Sequence, residues 1–184
     1  MFRICIFLMI TMTFMLKSFA VENIKIVTDG GQPISEKELS KWQYTIYPDG
    51  RNLPEGEGTA LQGKAIYNAQ CMACHGESGN NGIGPRLVGK QGYQNNSKNV
   101  LMTMSVGAWP HATTIFDYIR RAMPHYAPKS LTDEQVYALT AYILNLNGLI
   151  AKDEKLDNVA LSKIQMPNES IAINMWEQEV NTQK

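Results

Sequence analysis

The stretch Cys71-Met72-Ala73-Cys74-His75 constrains this chain more than any other, because C-x-x-C-H is the attachment sequence of a covalent c-type haem. Residues three apart share a face on one turn of helix, so Cys71 and Cys74 can each form a thioether with one of the two haem vinyl groups. His75 then lies beneath the ring and offers an imidazole nitrogen to the iron. The rest of the chain has to bury that ring. Two other readings compete, a redox C-x-x-C and half of a zinc site. The first normally accompanies a βαβ pattern, which is not found here. The second needs two more ligands, and no second C-x-x-C or H-x-x-x-H pair supplies them.

The 184 residues suggest one domain of ordinary size with extensions. Residues 1–20 stand apart. Arg3 gives a basic start, Ile4 to Leu16 form an apolar run, and Ser18-Phe19-Ala20 fits a small-x-small cleavage site. A secretory signal peptide cleaved after Ala20 is expected. The apolar run of 13 residues is short for a membrane span of about 20, so no integral span is expected after cleavage. Cleavage removes Cys5, Arg3 and Lys17, and the 17 basic residues fall to 15 against 17 acidic. A slightly acidic chain without a basic stripe is not a nucleic-acid binder. Both remaining cysteines belong to the haem motif, so none is left for a structural disulfide, in keeping with export to an oxidising compartment.

Residues 21–58 read as an N-terminal extension. Ser35 and Glu38 are spaced as a capping box for a brief helix through Leu39 and Trp42. Pro48-Asp49-Gly50 and Leu53 to Gly58 are turn chemistry. The aromatics Trp42, Tyr44 and Tyr47 are expected to staple this extension onto the domain, with a partner-binding or haem-covering surface as the alternative.

From Thr59 the period becomes helical, with Leu61, Ala65, Ile66 and Ala69 recurring at three- and four-residue steps up to Cys71. Gly63, Tyr67 and Cys71 are spaced by four and share a face. A glycine inside a helix costs about 1 kcal/mol relative to alanine, which points to close approach of another helix at that position. Gly76 to Gly82 is loop, ending in Ile83-Gly84-Pro85-Arg86-Leu87-Val88-Gly89. A backbone carbonyl there, that of Pro85 being the candidate, can accept the free ring N–H of His75. Residues 90–108 lack a clear period beyond a short helix around Val100 to Met104.

A helix beginning at Thr113 or Thr114 carries Ile115, Tyr118, Ile119 and Ala122 as its apolar stripe and stops at Met123-Pro124. The last long helix is announced by a Thr132–Gln135 capping box and a Leu131–Val136 staple. Val136, Leu139, Tyr142 or Ile143, and Leu146 carry its core face to Asn147-Gly148. Residues 148–184 form a C-terminal extension, with a short helix from Asp157 through Ile164 followed by Met166-Pro167-Asn168. This tail is expected to wrap the domain in part and to fray at its end, near Trp176.

A second axial ligand closes a haem iron for electron transfer, whereas an open site binds small molecules. The candidates are Met72, Met102, Met104, Met123, Met166, Met175, His111 and His125. Met72 lies on the His75 side. Met123 is favoured, because it ends a helix in a proline-fixed loop and follows His75 by 48 residues, enough chain to reach the other haem face. His111 and His125 remain the rivals, and Met166 is a decoy with the same Met-Pro dipeptide. Trp109, Arg120 and Arg121 are candidates for the haem propionates, with a core tryptophan and a solvated arginine pair as the alternative.

The order of helix, C-x-x-C-H, Gly-Pro-x-Leu loop, Met-Pro and long terminal helix resembles class I cytochromes c over roughly Thr59 to Asn147. This implies an all-α class I cytochrome c fold, a monohaem domain at 59–147, with N- and C-terminal extensions. The segments Tyr47 to Pro54, Trp109 to Pro124, Leu131 to Leu144 and Met166-Pro167-Asn168 look like the cytochrome c subunit of periplasmic sulfur or sulfite dehydrogenases. By that similarity Met123 is the axial ligand opposite His75, and the donor is a molybdopterin enzyme. One C-x-x-C-H implies one covalent haem c. The resemblance therefore implies a periplasmic, non-catalytic subunit that takes single electrons from a molybdenum-dependent sulfite or sulfur dehydrogenase and passes them to a downstream cytochrome or oxidase. The alternatives are a freely diffusing carrier serving a terminal oxidase and a haem enzyme or gas sensor with an open sixth site.

Overall fold

Side-chain caps decide where the helices of this chain begin. A computed structural model describes residues 33–89 and 105–171, in two compact units, Met1–Ser40 and Lys41–Lys184. The signal peptide expected at 1–20, the helix expected around Val100 to Met104, and Trp176 lie outside the described residues.

In the first unit the described residues form one short helix, α1 (Glu36–Leu39). The Ser35 hydroxyl accepts the Glu38 N–H at 3.2 Å, which is the Ser35 half of the capping box. The helix ends at Leu39, short of the expected Trp42.

The second unit runs β1 (Glu57–Gly58), α2 (Ala60–Gln70), α3 (Met72–His75), a 3₁₀ turn at Val106–Ala108, α4 (Ala112–Ala122), α5 (Asp133–Leu146), β2 (Leu156–Asp157) and α6 (Asn158–Leu161), before a last 3₁₀ turn at Glu169–Ile171. Among the described residues its regular elements are helical, apart from the two-residue pairing of β1 with β2 and an isolated bridge between His111 and Gln165. Complete capping boxes start both helices of the central crossing, Thr59 with Gln62 for α2 and Thr132 with Gln135 for α5.

Helix α5 is the centre of the unit. The expected face of Val136, Leu139 and Ile143 is buried, and so are Tyr137, Ala138, Thr140, Ala141 and Leu144. A helix enclosed on nearly every side is one that other elements pack around. The buried Thr140 hydroxyl is satisfied within the helix, donating to the Val136 carbonyl at 2.7 Å.

Helix α2 crosses α5 through Ala60, Gly63 and Tyr67, which are buried. The periodic Leu61, Ala65 and Ala69 instead face outward, Leu61 being 57% exposed. Close approach decides which face turns in. A side chain at Gly63 would run into the Ala138 carbonyl and come within 2.8 Å of the Tyr142 Cβ. Only the glycine-bearing face lets the two backbones meet, and the apolar periodicity of the other face does not compensate. The Tyr67 and Tyr142 rings then pack 5.1 Å apart at 56°.

Helix α4 begins at Ala112, one to two residues earlier than its threonines suggest, with His111 as N-cap. Ile115 and Ile119 are buried as expected, but Tyr118 is 49% exposed and Phe116 takes the core position. Phe116 meets Tyr137 of α5 at 4.5 Å, whereas Tyr118 lies edge-on to Trp109 at 5.7 Å.

The aromatics of the extension do not act as staples: Trp42 is 73% and Tyr44 53% exposed, and Tyr47 is exposed too. Ile46 is buried in their place, Leu53 packs on the core, and the Tyr137 hydroxyl donates to the Pro54 carbonyl at 2.7 Å. Cations stand over the exposed rings, Arg51 at 4.2 Å from the Tyr47 centroid and Lys129 at 5.7 Å from that of Tyr44.

The C-terminal segment returns over the domain. β2 pairs antiparallel with β1, Glu57 opposite Asp157 and Gly58 opposite Leu156, flanked by an ion pair between Lys155 and Glu57 at 2.7 Å. Asp157 caps α6 by accepting the Val159 and Ala160 N–H groups, and the helix stops at Leu161, short of Ile164. Leu156, Leu161 and Met166 are buried in the core, while Asn168 donates to the Ala108 carbonyl at 2.9 Å.

Candidate functional site

The C-x-x-C-H segment is one turn of helix set on the end of α2. Cys71 donates its N–H to the Tyr67 carbonyl at 2.8 Å, and its own carbonyl accepts from Cys74 at 3.1 Å and from His75 at 2.9 Å. Two free cysteines and an imidazole are thereby gathered on one turn. Cys71 is half-buried, and burial, helped by the neighbouring Cys74, pushes its thiol up to about 11. A redox C-x-x-C needs the opposite shift, toward thiolate. Among the described residues no three His, Cys, Asp or Glu side chains are grouped to hold a metal ion, which leaves the zinc reading without support. The donor set of two thiols and one imidazole fits a covalently held haem.

The His75 ring is oriented by the loop that follows. Its Nδ1 lies 2.8 Å from the Pro85 carbonyl oxygen, the contact anticipated from the sequence. A carbonyl only accepts, so Nδ1 carries the proton and Nε2 keeps the lone pair that an iron needs. The loop is tied down by its backbone, Gly84 donating to the Cys74 carbonyl at 2.7 Å and Leu87 to the Gly79 carbonyl at 2.8 Å.

Two supporting residues were not foreseen. Asn147, the C-cap of α5, donates to the Leu87 carbonyl at 2.9 Å and accepts the Gly89 N–H at 3.0 Å, clamping the segment that presents Pro85. The Tyr67 hydroxyl donates to the Gly76 carbonyl at 2.6 Å, just past His75. Asparagine at the end of α5 read as a helix stop, and nothing local distinguishes a stop from a clamp. The spacing puts Tyr67 on one face with Gly63 and Cys71, and a phenol buried there needs an acceptor, which was the available signal.

Met123 is the C-cap of α4, half-buried and packed against the core. Among its rivals, His125 is exposed, and His111 is engaged through its backbone in a bridge to Gln165. Met166 is brought into the core by the returning tail and packs there as an apolar side chain. Met72 lies on the C-x-x-C-H turn itself, while Met102, Met104 and Met175 lie outside the described residues.

Residues 58–143 match the family described as cytochrome c oxidase, cbb3-type, subunit III. The structure is similar to a chain in the crystal structure of the sulfane dehydrogenase SoxCD from Paracoccus pantotrophus. The TM-score is 0.69 with 28% identity, covering 83% of this chain and 75% of that one. The fold is that of a class I cytochrome c. The chain is accordingly a haem c protein of electron transfer, with the all-α fold expected. No curated protein matches the cytochrome in sequence. Among its described residues no helix is long and apolar enough to cross a membrane.

Arg120 and Arg121 each pair with a carboxylate of the protein. Arg120 gives its Nε to Asp133 at 2.7 Å, and Arg121 is paired with Asp117 one turn back on α4. Asp117 is buried, and its second oxygen has no hydrogen-bond partner among the described residues. Trp109 is half-buried and packs on Tyr118, which is the core reading of that residue.

Proposed function

We propose that this cytochrome carries one haem, bound covalently through Cys71 and Cys74, with His75 and Met123 as axial ligands. It then serves as the electron-accepting subunit of a molybdenum-dependent sulfite or sulfur dehydrogenase. Bound haem c supplies a site that takes up and releases one electron at a time. The chain supplies the rest. His75 is held in its Nδ1–H tautomer by the Pro85 carbonyl, which is the observation that carries the haem reading. Met123, ending α4, offers a thioether rather than a second imidazole, a choice that raises the potential.

In the same reading, residues 1–20 are a signal peptide, the protein works in the periplasm, and 59–147 is the haem domain between extensions at 21–58 and 148–184. The likeness to a SoxCD chain, which extends beyond the 58–143 family match, supports a sulfur-oxidising partner and a role for the extensions. The family description, naming a terminal oxidase subunit, favours a second reading in which the cytochrome is a carrier serving such an oxidase.

The axial assignment is tested by the weak long-wavelength absorption of methionine-ligated ferric haem. Met123→Ala is expected to abolish it and Met166→Ala to leave it unchanged; the reverse pattern would move the ligand to the tail. The partner is tested by co-purification with a molybdenum protein and reduction by sulfite in its presence. Reduction only by a respiratory donor would favour the oxidase carrier.

A further inference from the structure

In the turn that bears His75, Cys71 packs half-buried on the core, and none of Met72 to His75 is buried. Hydrogen bonds from the core on either side of the turn fix where the imidazole sits. The loop side is held by Asn147 through Leu87 and Gly89. On the helix side one side-chain hydrogen bond reaches from the core to the turn among the described residues, the Tyr67 hydroxyl donating to the Gly76 carbonyl at 2.6 Å.

We propose that Tyr67 is a positioning residue for the axial histidine, its hydroxyl locking the carbonyl end of the C-x-x-C-H turn to the crossing of α2 and α5. The inference rests on the reading of His75 as the iron ligand and adds the group that holds it still. Tyr67 is fully buried, and its ring is fixed against Tyr142, so the hydroxyl is delivered from a rigid base. Its acceptor is equally constrained. The Gly76 N–H closes the turn onto the Met72 carbonyl at 2.8 Å, and Gly76 sits at φ +80°, where any Cβ would collide with the Asn80 carbonyl. The bond therefore joins two parts that cannot adjust to its loss. Electron transfer gains from this, because a ligand that keeps its place in both oxidation states leaves little to rearrange.

The test uses the full-length, haem-loaded protein with Tyr67→Phe, which removes one oxygen and keeps the packed ring. Tyr142→Phe is the control, since the Tyr142 hydroxyl makes no hydrogen bond to the turn. Amide exchange at Cys74 to Gly79 is expected to quicken about tenfold in Tyr67→Phe, the loss of one net hydrogen bond of about 1 kcal/mol or slightly more. The paramagnetically shifted ring resonances of His75 are expected to move with it, and neither readout changes in Tyr142→Phe. Unmoved exchange and resonances in Tyr67→Phe would overturn the proposal. So would equal effects from both variants, which would assign the role to ring packing instead. A wild-type chain without c-type absorption would overturn the haem reading and this inference together, whereas a coloured wild type with an indifferent Tyr67→Phe would overturn this inference alone.

Discussion

The two proposed axial ligands sit in regions built by different physics. Around His75 the structure is made of backbone: the turn closes on Cys71, Gly84 bonds to Cys74, and Pro85 takes the imidazole proton. Met123 itself packs on the apolar core, and the end of the helix that carries it is held by charged side chains, Arg120 on Asp133 joining α4 to α5 and Arg121 on Asp117. Backbone bonds inside a tight loop are short-ranged and little affected by salt. Ion pairs that remain partly exposed are screened by it. The comparison teaches that the imidazole side is the rigid half of the site and the thioether side the half that responds to its medium.

The largest effect should come from breaking the rigid half at its foundation. Gly63→Val places a side chain against the Ala138 carbonyl, and the overpacked crossing should lose about 3 kcal/mol, measured by urea unfolding. If the variant is nearly as stable as wild type, the α2–α5 crossing is not what supports the His75 turn.

An alkaline titration sharpens the same contrast. Burial, with lesser contributions from Cys71 and Tyr142, pushes the Tyr67 phenol up to about 12 from its ordinary 10.0. Burial, and then the carboxylates of Asp133 and Asp157, raise Tyr137 as well. A folded-state pKa above the unfolded value means that the unfolded chain loses its proton first. Stability is therefore fully present below pH 10 and falls as pH rises through the window between the two values, by up to about 1.4 kcal/mol per pH unit for each tyrosine. Unfolding midpoints from pH 8 to 11 should be flat and then decline, and Tyr67→Phe should remove its share of the decline.

The smallest effect belongs to the responsive half. Arg120→Gln should cost about 1 kcal/mol at low salt and less as salt is added, with the Met123-dependent absorption band weakening in parallel. An effect independent of salt would mean that Arg120 acts by packing, and the contrast between the two halves would fail.

How much of this was legible in the sequence follows from range. The C-x-x-C-H turn, the Thr132 capping box, the core face of α5 and the Pro85 carbonyl are local patterns, and the structure has each where the sequence placed it. Gly63 was legible too, because a glycine in a helix needs a reason. The failures were failures of direction. On α2 Ile66 packs on the core as its period suggests, but Leu61, Ala65 and Ala69 look outward, since the closeness of α5 outweighs periodicity. The extension's aromatics stay exposed because Ile46 and Leu53 had already filled the available core. The partner of Arg120 depends on how α4 meets α5, which no spacing along the chain reveals, whereas that of Arg121 lies four residues back on its own helix. The β1–β2 pairing, two residues long and nearly 100 apart in sequence, has no local signature at all.

That small pairing has an architectural consequence. Where Glu57 faces Asp157 the polypeptide meets itself, so everything from α2 to α5 is enclosed in one loop of chain fastened at its neck. The flanking segments do not trail away from that neck but lie back over the body, Ile46 and Leu53 before it and Leu161 and Met166 after it all packing on the same core.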